Sequence, residues 1–135
     1  MDILAYEYLK EGLKEYNERM GKPYNNAVVA LPPENPTYPL TVFNEIRNVA
    51  NSSFNTIYER VASVGYSAHI YAKQRGKHTK QQVAREIAQM VDTYLSSFNL
   101  TRISYNAIEN VNDSSIYEII ITYSGNLHEN KRRFI

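Results

Sequence analysis

Along this chain the spacing of apolar residues switches between steps of three to four and steps of two, and each switch marks an element. Ile3, Tyr6, Leu9, Leu13, Tyr16 and Met20 form one apolar stripe on a predicted helix, with Asp2 as N-cap and Gly21 as the residue beyond its C-cap. A short apolar run, Ala27 to Leu31, is stopped by Pro32, Pro33, Pro36 and Pro39, whose fixed φ and missing N–H exclude both helix and central strand. That segment reads as a stiff, exposed connection. Leu40 to Arg47 then alternates Leu40, Val42 and Ile46 against Thr41, Glu45 and Arg47, with Asn44 interrupting the apolar face, which predicts a strand. Asn48 to Asn55 is polar, with Val49 and Phe54 embedded, and reads as a loop.

The run from Ile57 to Lys73 holds the longest period-two pattern: Ala62, Val64, Tyr66, Ala68, Ile70 and Ala72 alternate with Val61, Ser63, Gly65, Ser67, His69 and Tyr71. The small side chains Ala62, Ala68 and Ala72 predict a helix packed close on that face, and Gly65 marks a bulge or bend. Thr79 and Gln82 have capping-box spacing. They open a helix from Thr79 to Phe98 with the stripe Val83, Ile87, Met90, Val91, Tyr94, Leu95 and Phe98, ended by Asn99. Ile103, Tyr105, Ile108 and Val111 suit a strand with a slip near Asn106. Asn112 to Ser115 turn the chain, and Tyr117, Ile119, Ile121 and Tyr123 complete a hairpin. Beyond Gly125 the sequence NLHENKRRFI has no period and reads as an extended arm. The expected fold is therefore α+β: a mixed or antiparallel sheet of four to five strands, with an N-terminal helix and one central amphipathic helix on it. Residues 1–125 form a single domain in this reading, and 126–135 form the C-terminal arm.

Fifteen Lys plus Arg against fourteen Asp plus Glu leave a net charge of +1, so no global field draws this 135-residue chain to nucleic acid or to an anionic membrane. There is no cysteine, which removes disulfides, thiolate chemistry and the usual zinc frameworks. The charged start MDILAYEYLKEGLKEY has the pattern of neither a signal peptide nor a membrane span. The twelve tyrosines are accounted for mainly by half-buried strands, although tyrosine is also enriched at interfaces. His69, His78 and His128 have no metal-ligand spacing. The five glycines lie singly, so no phosphate-cradling loop is expected, and Glu86 and Asp92 fall on roughly opposite sides of a helix. No catalytic residue, metal or cofactor is expected. A basic patch, Lys73, Arg75, Lys77 and Lys80, surrounds the turn before the central helix and suits non-specific phosphate contact as readily as plain solvation.

The segments YPLTVFNEI (38–46), VGYSAHIYAK (64–73), KHTKQQVAREIAQMVDTYL (77–95) and LTRISYNAIENVNDSSIYEIIITYSG (100–125) together resemble the tail-terminator, or tail-completion, proteins of long-tailed bacteriophages and prophages. The resemblance covers most of the chain and rests on element order and texture rather than on an invariant motif. It implies a structural virion protein that forms a six-subunit ring, caps the tail tube, ends its polymerisation and joins the head-side neck. The implied partners are further copies of the chain, the tube protein and a neck or connector protein. DNA would pass through the channel without sequence-specific contact, and no membrane is involved. The implied location is the tail–neck junction of the virion, reached from the host cytoplasm. Under that reading Val49, Phe54, Tyr58, Arg132, Arg133 and Phe134 are candidate subunit or neck contacts, with Phe54, Tyr58 and Phe134 as apolar anchors. A neck joining subunit and a small nucleic-acid-binding module using the 73–80 turn are the competing expectations.

Overall fold

A computed structural model describes residues 7, 9–12, 14–15, 18, 27–29, 34, 38–50, 61–74, 76–109, 115–128 and 133–135. The strands are β1 (Ala27–Val29), β2 (Leu40–Ala50), β3 (Val61–Ala72), β4 (Thr101–Glu109), β5 (Tyr117–His128) and β6 (Arg133–Phe134), with the central helix at Lys80–Ser96. The sheet order is β1-β2-β3-β5-β4, and β6 pairs with β5. Strands β2, β3, β5 and β4 run alternately antiparallel, while β1 lies parallel to β2 along Leu40–Val42. The chain leaves β3 through the helix and returns as β4, parallel to β3 and one place removed, so β5 slots between them. This is the α+β fold expected from the periodicity.

The central helix starts where its sequence requires. Thr79 accepts from the Gln82 N–H at 3.2 Å, and the Gln82 side chain accepts from the Thr79 N–H at 3.0 Å, which satisfies two otherwise orphaned donors. Val83, Ile87, Met90, Val91 and Leu95 are buried, and Tyr94 and Phe98 pack at the margin of the same core. Each fully buried aliphatic side chain here contributes roughly 1.5–3 kcal/mol by removal from water. Asn99 then takes a left-handed conformation, φ 67°, which a short polar side chain tolerates and which stops the helix. The face of β3 toward the helix carries Ala62, Val64, Tyr66, Ala68, Ile70 and Ala72, all essentially inaccessible; its three alanines let the helix approach, as their size implied. Residues 7, 9–12, 14–15 and 18 are helical and lie at the helix side of the sheet: Leu9 is in the core, and a Cβ on Gly12 would stand 2.9 Å from the Tyr94 ring. The other residues of the predicted N-terminal stripe, and both of its expected caps, lie outside the described residues.

Three expectations are corrected. First, β2 does not stop at Arg47 but runs to Ala50, so the first part of the expected 48–55 loop, Val49 included, is strand. A register shift between Glu45 and Arg47 places Ile46 in a bulge. Residues opposite one another across a ladder share a face, so Thr41 and Phe43, opposite Ile70 and Ala68, point to the helix, not Leu40 and Val42. Second, the slip in β4 falls between Arg102 and Ser104, at Ile103, rather than near Asn106. Third, the described residues of the expected arm, 126–128 and 133–135, belong to the sheet and its margin. Strand β5 continues to His128, with Leu127 on the buried face, and β6 returns to pair Phe134 with Leu127 and Arg133 with His128. Strand β4 begins opposite Ser124 and leaves the end of β5 unpaired, and β6 takes that place. Phe134 is 5% exposed and stands edge-on to Tyr66 at 6.0 Å, with Phe43 stacked on the same ring at 5.3 Å. An expected interface anchor is therefore a core residue. Its backbone carbonyl accepts from the Asn99 side chain, and the Ile135 N–H donates to the Asn126 carbonyl at 2.8 Å.

Candidate functional site

Among the described residues, the exposed large apolar side chains other than Ile135 gather at the two edges of the antiparallel sheet. Ile46 (58% exposed) and Val49 (56%) lie on β2, and Ile103 (64%), Tyr105 and Ile108 lie on β4. Among the described residues, strand β4 ends the sheet on one side. On the other, β1 covers only Leu40–Val42, so among the described residues β2 has no outer partner from Phe43 to Ala50. Among the described residues, both edges thus present unpaired backbone donors and acceptors beside branched aliphatic groups, the combination that templates strand addition. The arginine of each edge is held by a neighbour, Arg47 across the sheet and Arg102 against the central helix. Arg47 lies over Gly65 and donates to the Val64 carbonyl at 3.2 Å and the Ser124 hydroxyl at 2.9 Å; a Cβ on Gly65 would come 3.3 Å from that of Arg47. Arg102 stands 3.5 Å from Asp92, which also accepts from the Tyr123 hydroxyl at 3.0 Å, and its guanidinium lies 5.6 Å from the Tyr105 ring. Burial, and then the Asp92 charge, hold the Tyr123 hydroxyl well above the usual tyrosine range.

On the sheet face away from the helix, the β3–β5 register brings together residues far apart in sequence. His69 Nδ1 is 3.0 Å from Glu118 Oε1, and the His69 and Tyr71 rings stack at 6.4 Å. The Tyr71 hydroxyl is pushed up to about 12 by burial, then by the Glu118 charge and hydrogen bond. The group fastens two central strands. No group of three or more His, Asp or Glu side chains among the described residues could hold a metal ion.

The basic turn is only partly assembled. Lys73 and Lys80 line an open cleft of about 440 Å³ with Gln74, Thr79, Gln81 and Ser115, and the Lys73 ammonium lies 4.8 Å above the Tyr38 ring. Lys77 is exposed on the turn, and Arg75 lies outside the described residues. Of the expected interface residues, Val49 is exposed on an open edge, Phe134 is in the core, and Arg133 is in β6 with its side chain outside the described set. Phe54, Tyr58 and Arg132 are outside it altogether. Ile46, Ile103, Tyr105 and Ile108 were not singled out by sequence, since a bulge that turns an isoleucine outward has no signature in hydrophobic period.

Neither a protein-family model nor a curated protein matches the sequence. Among the described residues, no helix is long and apolar enough to cross a membrane.

Proposed function

We propose that this chain is a structural subunit of a phage tail, assembling as a ring that caps the tail tube, ends its polymerisation and meets the neck. The observation that carries the reading is the pair of open, apolar edges on one antiparallel sheet, because a subunit with two different sticky edges builds rings or filaments rather than closed pairs. The resemblance of the element order to tail-completion proteins selects the tail among ring-building contexts. A neck joining subunit rests on the same edges and differs in its partner.

The test is twofold. Light scattering after size exclusion, across a concentration series, should give a hexamer or a rise towards one. Electron microscopy of cognate tail tubes polymerised with the protein should show it at one tube end, with shorter tubes. A protein that binds the isolated connector and ignores tubes would be a neck subunit. The cleft between Lys73 and Lys80 supports a second reading, phosphate contact with DNA. That reading requires salt-sensitive DNA retention that disappears in a Lys77→Glu, Lys80→Glu variant, whereas the ring reading expects neither.

A further inference from the structure

The ring reading leaves open how copies join, and the following inference rests on it. We propose that β4 of one copy adds to the open part of β2 of the next, so that copies share a continuous antiparallel sheet head to tail. The occupant of each edge is thus the opposite edge of a second copy.

Strand direction is the first argument. Strands β2, β3, β5 and β4 alternate in direction across the sheet, so β2 and β4 run oppositely. A neighbouring copy set beside β4 with its sheet the same way up therefore presents β2 antiparallel to β4, and the alternation continues without reversal. Length is the second. The open stretch of β2, Phe43–Ala50, and the whole of β4, Thr101–Glu109, differ by a single residue, and each extends about 27–30 Å at strand rise.

The third argument is the lack of the usual protection. Natural edge strands are blunted by lysine, proline or projecting charge. Neither β2 nor β4 contains lysine or proline, and their arginines are tied inward to Ser124 and Asp92. Bulges often protect an edge too, but here each bulge carries the most exposed aliphatic side chain of its strand, Ile46 or Ile103. An isologous pairing of β4 with β4 would leave Ile46 and Val49 in water, and a foreign strand would satisfy one edge only. Interface size is the fourth argument. One strand junction of eight or nine residues a side falls short of the roughly 20–30 residues a side of a standard stable interface. An isolated pair is therefore weak, and closure, which gives every copy two junctions, stabilises the assembly.

The test uses two variants altered only at exposed positions. In one, Ile46→Lys with Val49→Lys blocks the β2 edge; in the other, Ile103→Lys with Ile108→Lys blocks β4. Circular dichroism and melting should match the unaltered chain, and each variant alone should need at least about a hundredfold higher concentration to associate. Mixed in equal amounts, at concentrations well above those at which the unaltered chain assembles, they should form a heterodimer that grows no further, because each contributes one intact edge and a single junction is weak. Dimerisation of the β2-blocked variant by itself would replace the proposal with β4–β4 pairing. Rings formed by either variant as readily as by the unaltered chain would also overturn it, while leaving the ring reading intact. An unaltered chain that stays monomeric at the highest reachable concentration overturns the edge pairing, and its behaviour on tail tubes then decides the ring reading separately.

Discussion

Replacing Phe134 by alanine asks whether the end of the chain belongs to the core. The ring is 5% exposed, edge-on to Tyr66 at 6.0 Å, and Tyr66 is itself stacked on Phe43. Phe→Ala changes in cores cost about 3–5 kcal/mol, and an edge-to-face pair supplies about 0.5–1.5 kcal/mol of that kind of loss. Here β6 is two residues long, so the site can relax by shifting the segment, which places the expected cost near the low end, about 3 kcal/mol. For a domain of this size that lowers Tm by roughly 10 °C. Urea unfolding followed by circular dichroism, with an unchanged m-value, measures it. Ile135→Ala, at a position 47% exposed, is the control and should stay within about 0.5 kcal/mol. A Phe134→Ala loss below about 1 kcal/mol, no larger than that of the control, would refute the placement of the tail in the core.

Thr79→Ala removes the side chain that accepts from the Gln82 N–H and should cost about 1 kcal/mol in chemical unfolding, with Thr79→Asn restoring most of it. Gly12→Ala pushes a methyl group against the Tyr94 ring at a cost of about 1–3 kcal/mol, partly offset by about 1 kcal/mol of helix propensity, so a net loss is expected; a gain of about 1 kcal/mol would mean that the two helices do not touch there. Alkali should unfold the protein early. Tyr71, Tyr105 and Tyr123 keep their protons in the fold above the ordinary tyrosine value, so the unfolded chain binds fewer protons, and stability falls as pH rises from about 10 through the folded values, about 12 for Tyr71. Urea midpoints that do not change over that range, or that change equally in a Tyr123→Phe variant, would count against this.

Local rules carried the central helix and the long strand into the structure almost unchanged, because a capping box and a dozen alternating residues are decided by short-range geometry. The alanines of β3 even announced the packing of the helix. What escaped was set by partners distant in sequence. The face of β2 inverts across the Ile46 bulge, and that bulge exists only in register with β3. Arg133 and Phe134 look like a charged tail until the length mismatch between β4 and β5 gives them a place to pair. Of the interface candidates, Phe134 is buried and Val49 exposed, because exposure at an edge depends on which strand ends the sheet. Nothing in the spacing of Ile103 and Ile108 states that no described strand lies beyond them.

The position of β5 also orders events during synthesis. It follows β4 in the chain, yet it lies between β3 and β4, pairing with β3 over its whole length and with β4 from Tyr117 to Ser124. Until residues 117–128 emerge, β4 has nothing to pair with, and the helix has only part of the surface it finally covers. The nascent chain therefore carries two additional unsatisfied strand edges until residues 117–128 have been made. Cooperative folding of the sheet waits for residues 117–128, and the edges that β5 covers stay open until that strand is made.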